Sequence, residues 1–178
     1  MARLLDRPAT ALSIAEATKA SAPPRLQRRE AQKNLLIVRC ASEWFAIPAD
    51  AVVHVSAVAK IHALPHRSKK GFRGLTAIAG AIVPVIDLPG LLDLAPAEPS
   101  QRRAPRMVQV GEVRASWAFE ADDVPGVYAL PASAVKALPL TVQHSPNRIS
   151  CGLVTTTHGP ASLVDPVRMA DEFMKAIS

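Results

Sequence analysis

The run GLTAIAGAIVPVIDLPGLLDL, Gly74 to Leu94, contains two apolar segments that turn tightly on one another at Gly80-Ala81. LTAIAG and AIVPVIDL read as two strands of a hairpin. Pro84, inside the second, cannot donate to a ladder, which points to an edge position or a bulge. Val83, Val85 and Leu88 are expected to be buried. The following LPGLLDL has the length of a short helical turn, opened by Asp87.

The same texture extends in both directions. Upstream, NLLIVRC is a strand, ASEW a turn, FAIPA a second strand and AVVHVSAV a third, before the basic loop IHALPHRSKKGFRG, broken by Pro65 and Gly71. Downstream, the loop APAEPSQRRAPR leads to strand signals in MVQVG, RASWAFEAD and VPGVYALP. After the linker ASAVKALPLTVQHSPN come RISCGLVTTTHG and PASLVDP. The chain closes on DPVRMADEFMKAIS, a helix with Asp165 as cap and Pro166 at its first position. Ala170, Phe173, Met174 and Ile177 are expected to share its apolar face. About ten short strands without repeated crossover helices make an all-β protein, in two runs that build barrels or a sandwich.

Composition agrees. The chain has 178 residues, 49% hydrophobic but only 4% aromatic, so its core is aliphatic; sixteen prolines against eight glycines favour short elements over long helices. Residues 1–33, rich in Ala, Arg and Pro, read as a flexible tail, and deleting residues 1–30 should leave the melting temperature nearly unchanged. No apolar run approaches the ~20 residues of a transmembrane helix. The N-terminus lacks a signal-peptide core, so the expected location is cytoplasmic, with no direct membrane insertion. Cys40 and Cys151 both lie in apolar strand-like sequence, and each reads as a small buried hydrophobe outside any disulfide.

The formal net charge of +6 gathers in Arg25, Arg28, Arg29 and Lys33, in His66, Arg67, Lys69, Lys70 and Arg73, and in Arg102, Arg103 and Arg106. A basic β-barrel protein binding nucleic acid through the 66–73 and 102–106 loops is therefore the alternative function. No aromatic residue interleaves these clusters, which favours solvated loops.

Reactive chemistry finds little support. His54, His62 and His66 have spacings that match no metal-ligand signature. Cys40, Cys151 and the run Thr155-Thr156-Thr157-His158 lack a nucleophile elbow or an oxyanion glycine loop. No phosphate-binding glycine pattern occurs. Asp87 with Asp93, and Asp122 with Asp123, sit where aspartate caps or turns a chain. The expectation is no enzyme, no metal and no cofactor, but a binding module.

The signature Gly74–Leu94 resembles that of the CheW-like domain, in which a G-x-x-N-L-R-G turn precedes an apolar P-V-x-D-L strand. NLLIVRCASEWFAIPADAVVHV resembles that family's opening strands, VPGVYALP its D-x-V-x-x-V segment, and RISCGLVTTTHGPASLVDPVRM its final hairpin and helix. The resemblance runs across 34–178. It implies two SH3-like five-stranded β-barrel subdomains sharing a core, with a short C-terminal helix. It also implies a non-catalytic adaptor of bacterial chemosensory arrays. Its partners would be the regulatory domain of a CheA-type histidine kinase and the cytoplasmic tip of a chemoreceptor, placing it in the cytoplasm at membrane receptor arrays. Asp87 would fix the turn after its strand by bonding backbone amides.

The resemblance places a receptor groove between the barrels, at Val52, His54, Val55, Leu75, Ala77 and Ala79, with Val124 and Val127 from the second barrel. Here the chain departs from the pattern. Ala77 and Ala79 stand for the Asn and Arg of the glycine turn, and His54 stands where an acidic residue is common, so both ends of an Arg–carboxylate pair are gone. That implies a shallower, more apolar groove and a specialised or alternative chemosensory system. His54 is the one polar group left there, either a contact or a partly exposed strand histidine.

Overall fold

The computed structural model describes residues 32–65, 71–96, 104–112, 115–137 and 149–177. The basic segment 66–70, most of the loop before Arg106 and nearly all of the expected tail lie outside them. The described residues form strands β1 (Gln32–Cys40), β2 (Glu43–Pro48), β3 (Val52–Ala57), β4 (Phe72–Ile78), β5 (Ala81–Ile86), β6 (Arg106–Glu112), β7 (Ala115–Ala121), β8 (Asp123–Pro131), β9 (Val135–Lys136), β10 (Ser150–Thr156) and β11 (Gly159–Val164). Helix α1 (Leu88–Leu91) follows β5, and α2 (Pro166–Ile177) follows β11.

The all-β expectation holds, with one sheet larger than expected. A five-stranded sheet has the order β3-β6-β7-β5-β4, and a six-stranded sheet the order β8-β1-β2-β11-β10-β9. Val135–Lys136, hidden in the linker, supplies the extra strand. The two sheets repeat one another. In each, an edge strand pairs with an antiparallel hairpin, and that hairpin pairs in parallel with a second one. The five-stranded copy uses the continuous stretch Val52–Ala121. The six-stranded copy takes β1 and β2 from before that stretch and β8 to β11 from after it, so it is a circular permutation of the other.

Strand periodicity sorts the apolar residues into three layers. Leu36, Val38 and Cys40 of β1 face a shared core with Phe45, Ile47, Ile86, Val108, Phe119, Met169 and Phe173. Leu35 and Ile37, on the other face of β1, belong to a private core with Ala46, Val154, Ala161 and Leu163. The five-stranded subdomain has its own: Ile78, Val83, Val85, Met107 and Ala118. β1 is buried on both faces, which is why it reads as an unbroken apolar run rather than an alternation. As expected, Val83, Val85 and Leu88 are buried.

Helix α2 closes the shared core. Asp165 Oδ1 accepts from the N–H groups of Val167 (3.0 Å) and Arg168 (3.3 Å), the expected cap. Its buried face is shifted from the expected one. Met169, Phe173 and Ala176 are buried, whereas Met174 is 51% exposed. The spacing identified a helix, but the tilt on the core chose which stripe it buries.

Asp87 and Asp165 occupy equivalent places after the two parallel strands. The Asp87 N–H donates to Gly71 O at 2.8 Å and the Asp165 N–H to Ile149 O at 2.7 Å. Unlike Asp165, Asp87 makes no side-chain cap bond; only its carbonyl opens the helix, accepting from Leu91 N–H at 2.8 Å. The expected role of the Asp87 carboxylate is thus corrected. Pro84 is not on an edge strand either. β5 has neighbours on both sides, but its pairing with β7 begins only at Val85, so proline sits where β5 is still free on that side.

Candidate functional site

The β4–β5 hairpin turns at Ala79-Gly80, one residue earlier than expected, with Ile78 opposite Ala81. Both turn residues have positive φ, +48° and +82°. These values are those of the two-residue turn that matches hairpin twist, and alanine adopts its value against its steric preference. Along β4, Thr76 and Ile78 point inward, which leaves Leu75 half-buried and Ala77 and Ala79 exposed.

The free edge of β4 is covered by chain leaving β3. His62 and Leu75 exchange backbone bonds of 2.8 and 2.9 Å, and Thr76 Oγ1 donates to Lys60 O at 2.9 Å. Gly74 permits this approach: with φ +137°, a side chain there would meet the His62 carbonyl.

β3 carries a bulge between Val52 and His54. After it, His54 and Val55 are exposed, opposite Gln109 and Val108, while Val52 is half-buried against the shared core. On β8, Val124 also packs on the shared core, and Val127 is 59% exposed. The eight expected residues therefore lie on, or directly after, three edge strands. β3 and β4 bound the five-stranded sheet and β8 bounds the six-stranded one. Val52 and Val124 are committed to the core, and Leu75 partly to the His62 pairing. His54, Val55, Ala77, Ala79 and Val127 remain available to a partner.

One residue was missed. Ile82, the ladder partner of Ala77, is 76% exposed, the most exposed large apolar side chain described. Its signal was the alternation of β5: if Val83 and Val85 face a core, Ile82 faces away. It lines a cavity of about 440 Å³ with Ala81, Pro84, Ser116, Trp117 and Met174, where β5 and β7 have not yet paired. A larger one, about 560 Å³, lies elsewhere, lined by Lys33, Asp50, Cys151 and Asp165 among others.

The cysteines also divide. Cys40 is buried, but Cys151 is exposed, against expectation, because β10 turns that side chain to the surface. Burial, reinforced by the Asp122 carboxylate, pushes the Cys40 thiol well up, so it stays neutral. The sequence places Asp122 where aspartate turns a chain. It is buried, and its Oδ2 accepts from the Ala41 N–H at 2.8 Å, holding the β1–β2 turn where Ala41 has φ +55°.

The sequence model of the CheW-like domain matches residues 34–173. The chain belongs to the CheW-like domain family. CheW-like domains are non-catalytic scaffold or adaptor modules of chemotaxis, so the enzyme class falls away. Among solved structures, the scaffolding protein TtCheW from Thermoanaerobacter tengcongensis is similar with a TM-score of 0.64 and 18% identity, over 76% of this chain and 90% of that one. At that identity the likeness carries the fold. No curated protein matches the sequence. Among the described residues, no helix is long and apolar enough to cross a membrane.

Proposed function

We propose that this CheW-like chain is a cytoplasmic coupling scaffold of a bacterial chemosensory array. It joins the tip of a chemoreceptor to the regulatory domain of a CheA-type histidine kinase. The observation that supports this reading is the exposed, uncharged end of the β4–β5 hairpin, where Ala77 lies opposite Ile82 and Ala79 opens the turn; Val55 and Val127 are exposed on two other edge strands. Ile82, a large apolar side chain 76% exposed beside Ala77, is the one a partner would cover. Small alanines where the family pattern carries Asn and Arg make the groove a surface for aliphatic contact. A charge pair would give strong salt dependence, and this surface offers none. That difference is the basis for assigning the chain to a specialised or alternative system.

The nucleic-acid reading is weakened at Arg73, whose guanidinium pairs with Glu120 at 3.0 Å.

Ala77→Glu tests the proposal. Ala77 is exposed, so the melting temperature should hold, while a carboxylate set among aliphatic side chains should weaken binding of receptor-tip fragments. Binding to the kinase regulatory domain, expected on another face, should persist. If the variant binds receptor fragments as well as the parent does, the groove is not the receptor surface.

A further inference from the structure

The two subdomains can be matched residue by residue through their parallel pairs, Val85–Ala118 in one and Leu163–Ala46 in the other. Counting along the ladders, Gly111 then corresponds to Arg39, Ser116 to Trp44, Ser56 to Tyr128, and Gly80 to His158. One end of the five-stranded subdomain is thus built from small residues. The same end of the six-stranded subdomain carries four large ones linked by successive contacts.

The Arg39 guanidinium lies 5.6 Å from the Trp44 ring centre. Trp44 stacks on His158 with ring centres 5.0 Å apart and planes at 26°. The Tyr128 hydroxyl and His158 Nε2 are 3.2 Å apart, with the two rings edge to face. Arg39 is only 8% exposed, yet its Nε is buried without a hydrogen-bond partner. Asp123, its ladder partner on β8, forms no ion pair with it.

A buried guanidinium normally has its donors filled, because leaving one unpaired forfeits hydration with no return. A tryptophan face offsets part of that loss but accepts none of the N–H bonds. Nε itself is closed to solvent, so the terminal Nη groups are the donors that can reach a carboxylate from outside. His158, in the exposed two-residue turn between β10 and β11, adds a second ring nitrogen at the rim.

We propose that this end of the six-stranded subdomain recognises an acidic side chain, Asp or Glu, presented by a protein partner. Charge complementarity selects the carboxylate. The Tyr128 hydroxyl and His158 are exposed at this rim, where a segment of a protein partner can reach them. The surface is separate from the proposed groove, because Tyr128 faces inward on β8 where Val127 faces out.

The test uses the full chain and a penta-glutamate peptide blocked at both ends, with pentalysine and acetate as controls. The readout is the indole N–H resonance of Trp44, assigned with Trp117→Phe. The expected result is a saturable shift with penta-glutamate, weakened roughly tenfold in Arg39→Gln, as for loss of a charge-assisted bond. His158→Ala, which leaves the core intact, should weaken it less, and keeps the test decisive if Arg39→Gln fails to fold. Ala77→Glu should bind the peptide normally, which separates this site from the receptor groove. A missing shift, an equal response to pentalysine, or binding unchanged in both site variants would overturn the proposal. Acetate binding as tightly as the peptide would also overturn it, by showing a small-molecule carboxylate site.

Discussion

The five-stranded and six-stranded subdomains share one strand order and differ in how the chain supplies it. The first is assembled from neighbouring strands between Val52 and Ala121. The second waits for β11, because its β2 pairs in parallel with residues more than a hundred positions later. The same topology therefore arises from mostly local contacts in one copy and from long-range contacts in the other. Packing layers, rather than the order of the chain, define the fold. The copies also diverge in detail: Gly and Ser close one end of the first, and Arg39, Trp44, Tyr128 and His158 occupy that end of the second.

The largest test of this comparison is Phe173→Ala. Phe173 is fully buried in the layer both copies share, edge-on to Trp117 at 5.9 Å. Its loss should destabilise the protein by about 3–5 kcal/mol through lost burial and a cavity. Fluorescence of Trp44 and of Trp117 should report one common urea transition. Two separate transitions would show that the shared layer does not couple the copies.

Val85→Ala and Val154→Ala remove the same side-chain volume from the two private cores, one from each. Each should cost about 1–3 kcal/mol by chemical denaturation. No loss at Val85 would mean that its strand does not bury as described, and a much larger loss at one site than at the other would break the equivalence.

Cys40 tests the shared layer by pH. Its folded-state ionisation is pushed up, so above about pH 8.5, where an unfolded thiol ionises, the unfolded chain holds fewer protons than the folded one. Stability should fall as pH rises through that value, by up to about 1.4 kcal/mol per pH unit. Urea midpoints measured at pH 8 and pH 10 should show this slope reduced in Cys40→Ala. Exposed Cys151 should react with a thiol reagent in the native state, and Cys40 only on unfolding.

The smallest expected effect compares the two hairpin turns. Ala79 is strained by positive φ, so Ala79→Asn, which makes the Asn-Gly pair such turns favour, should raise stability by up to about 1 kcal/mol. In the equivalent turn the positive φ falls on Gly159, and Thr157→Asn should give no gain. Equal gains in melting temperature would erase the distinction.

Much of this was legible in advance, for definite reasons. The strand of NLLIVRC announced itself because two-sided burial leaves few polar positions, and AIVPVIDL did so because its residues are apolar on both faces, although Ile82 stays exposed. The cap at Asp165 could be read because it acts within three residues. β9 escaped notice because two residues carry no periodicity. The Asp87 carboxylate was misassigned because an aspartate before a helix looks the same whether or not its side chain closes the cap. Cys151 looked like its buried counterpart because apolar neighbours do not reveal which face of a strand a residue occupies.

By itself, the sequence determined the element types, the all-β class and the family, since these follow from local periodicity, turn chemistry and the order of motifs along 34–173. Tertiary structure alone decided the permuted pairing of the two sheets, the stripe buried by α2, the exposure of Cys151, and the run of contacts from Arg39 through Trp44 to His158. Each depends on which surface a distant segment covers, and that is set by packing across the shared core, where residues far apart in the chain become neighbours.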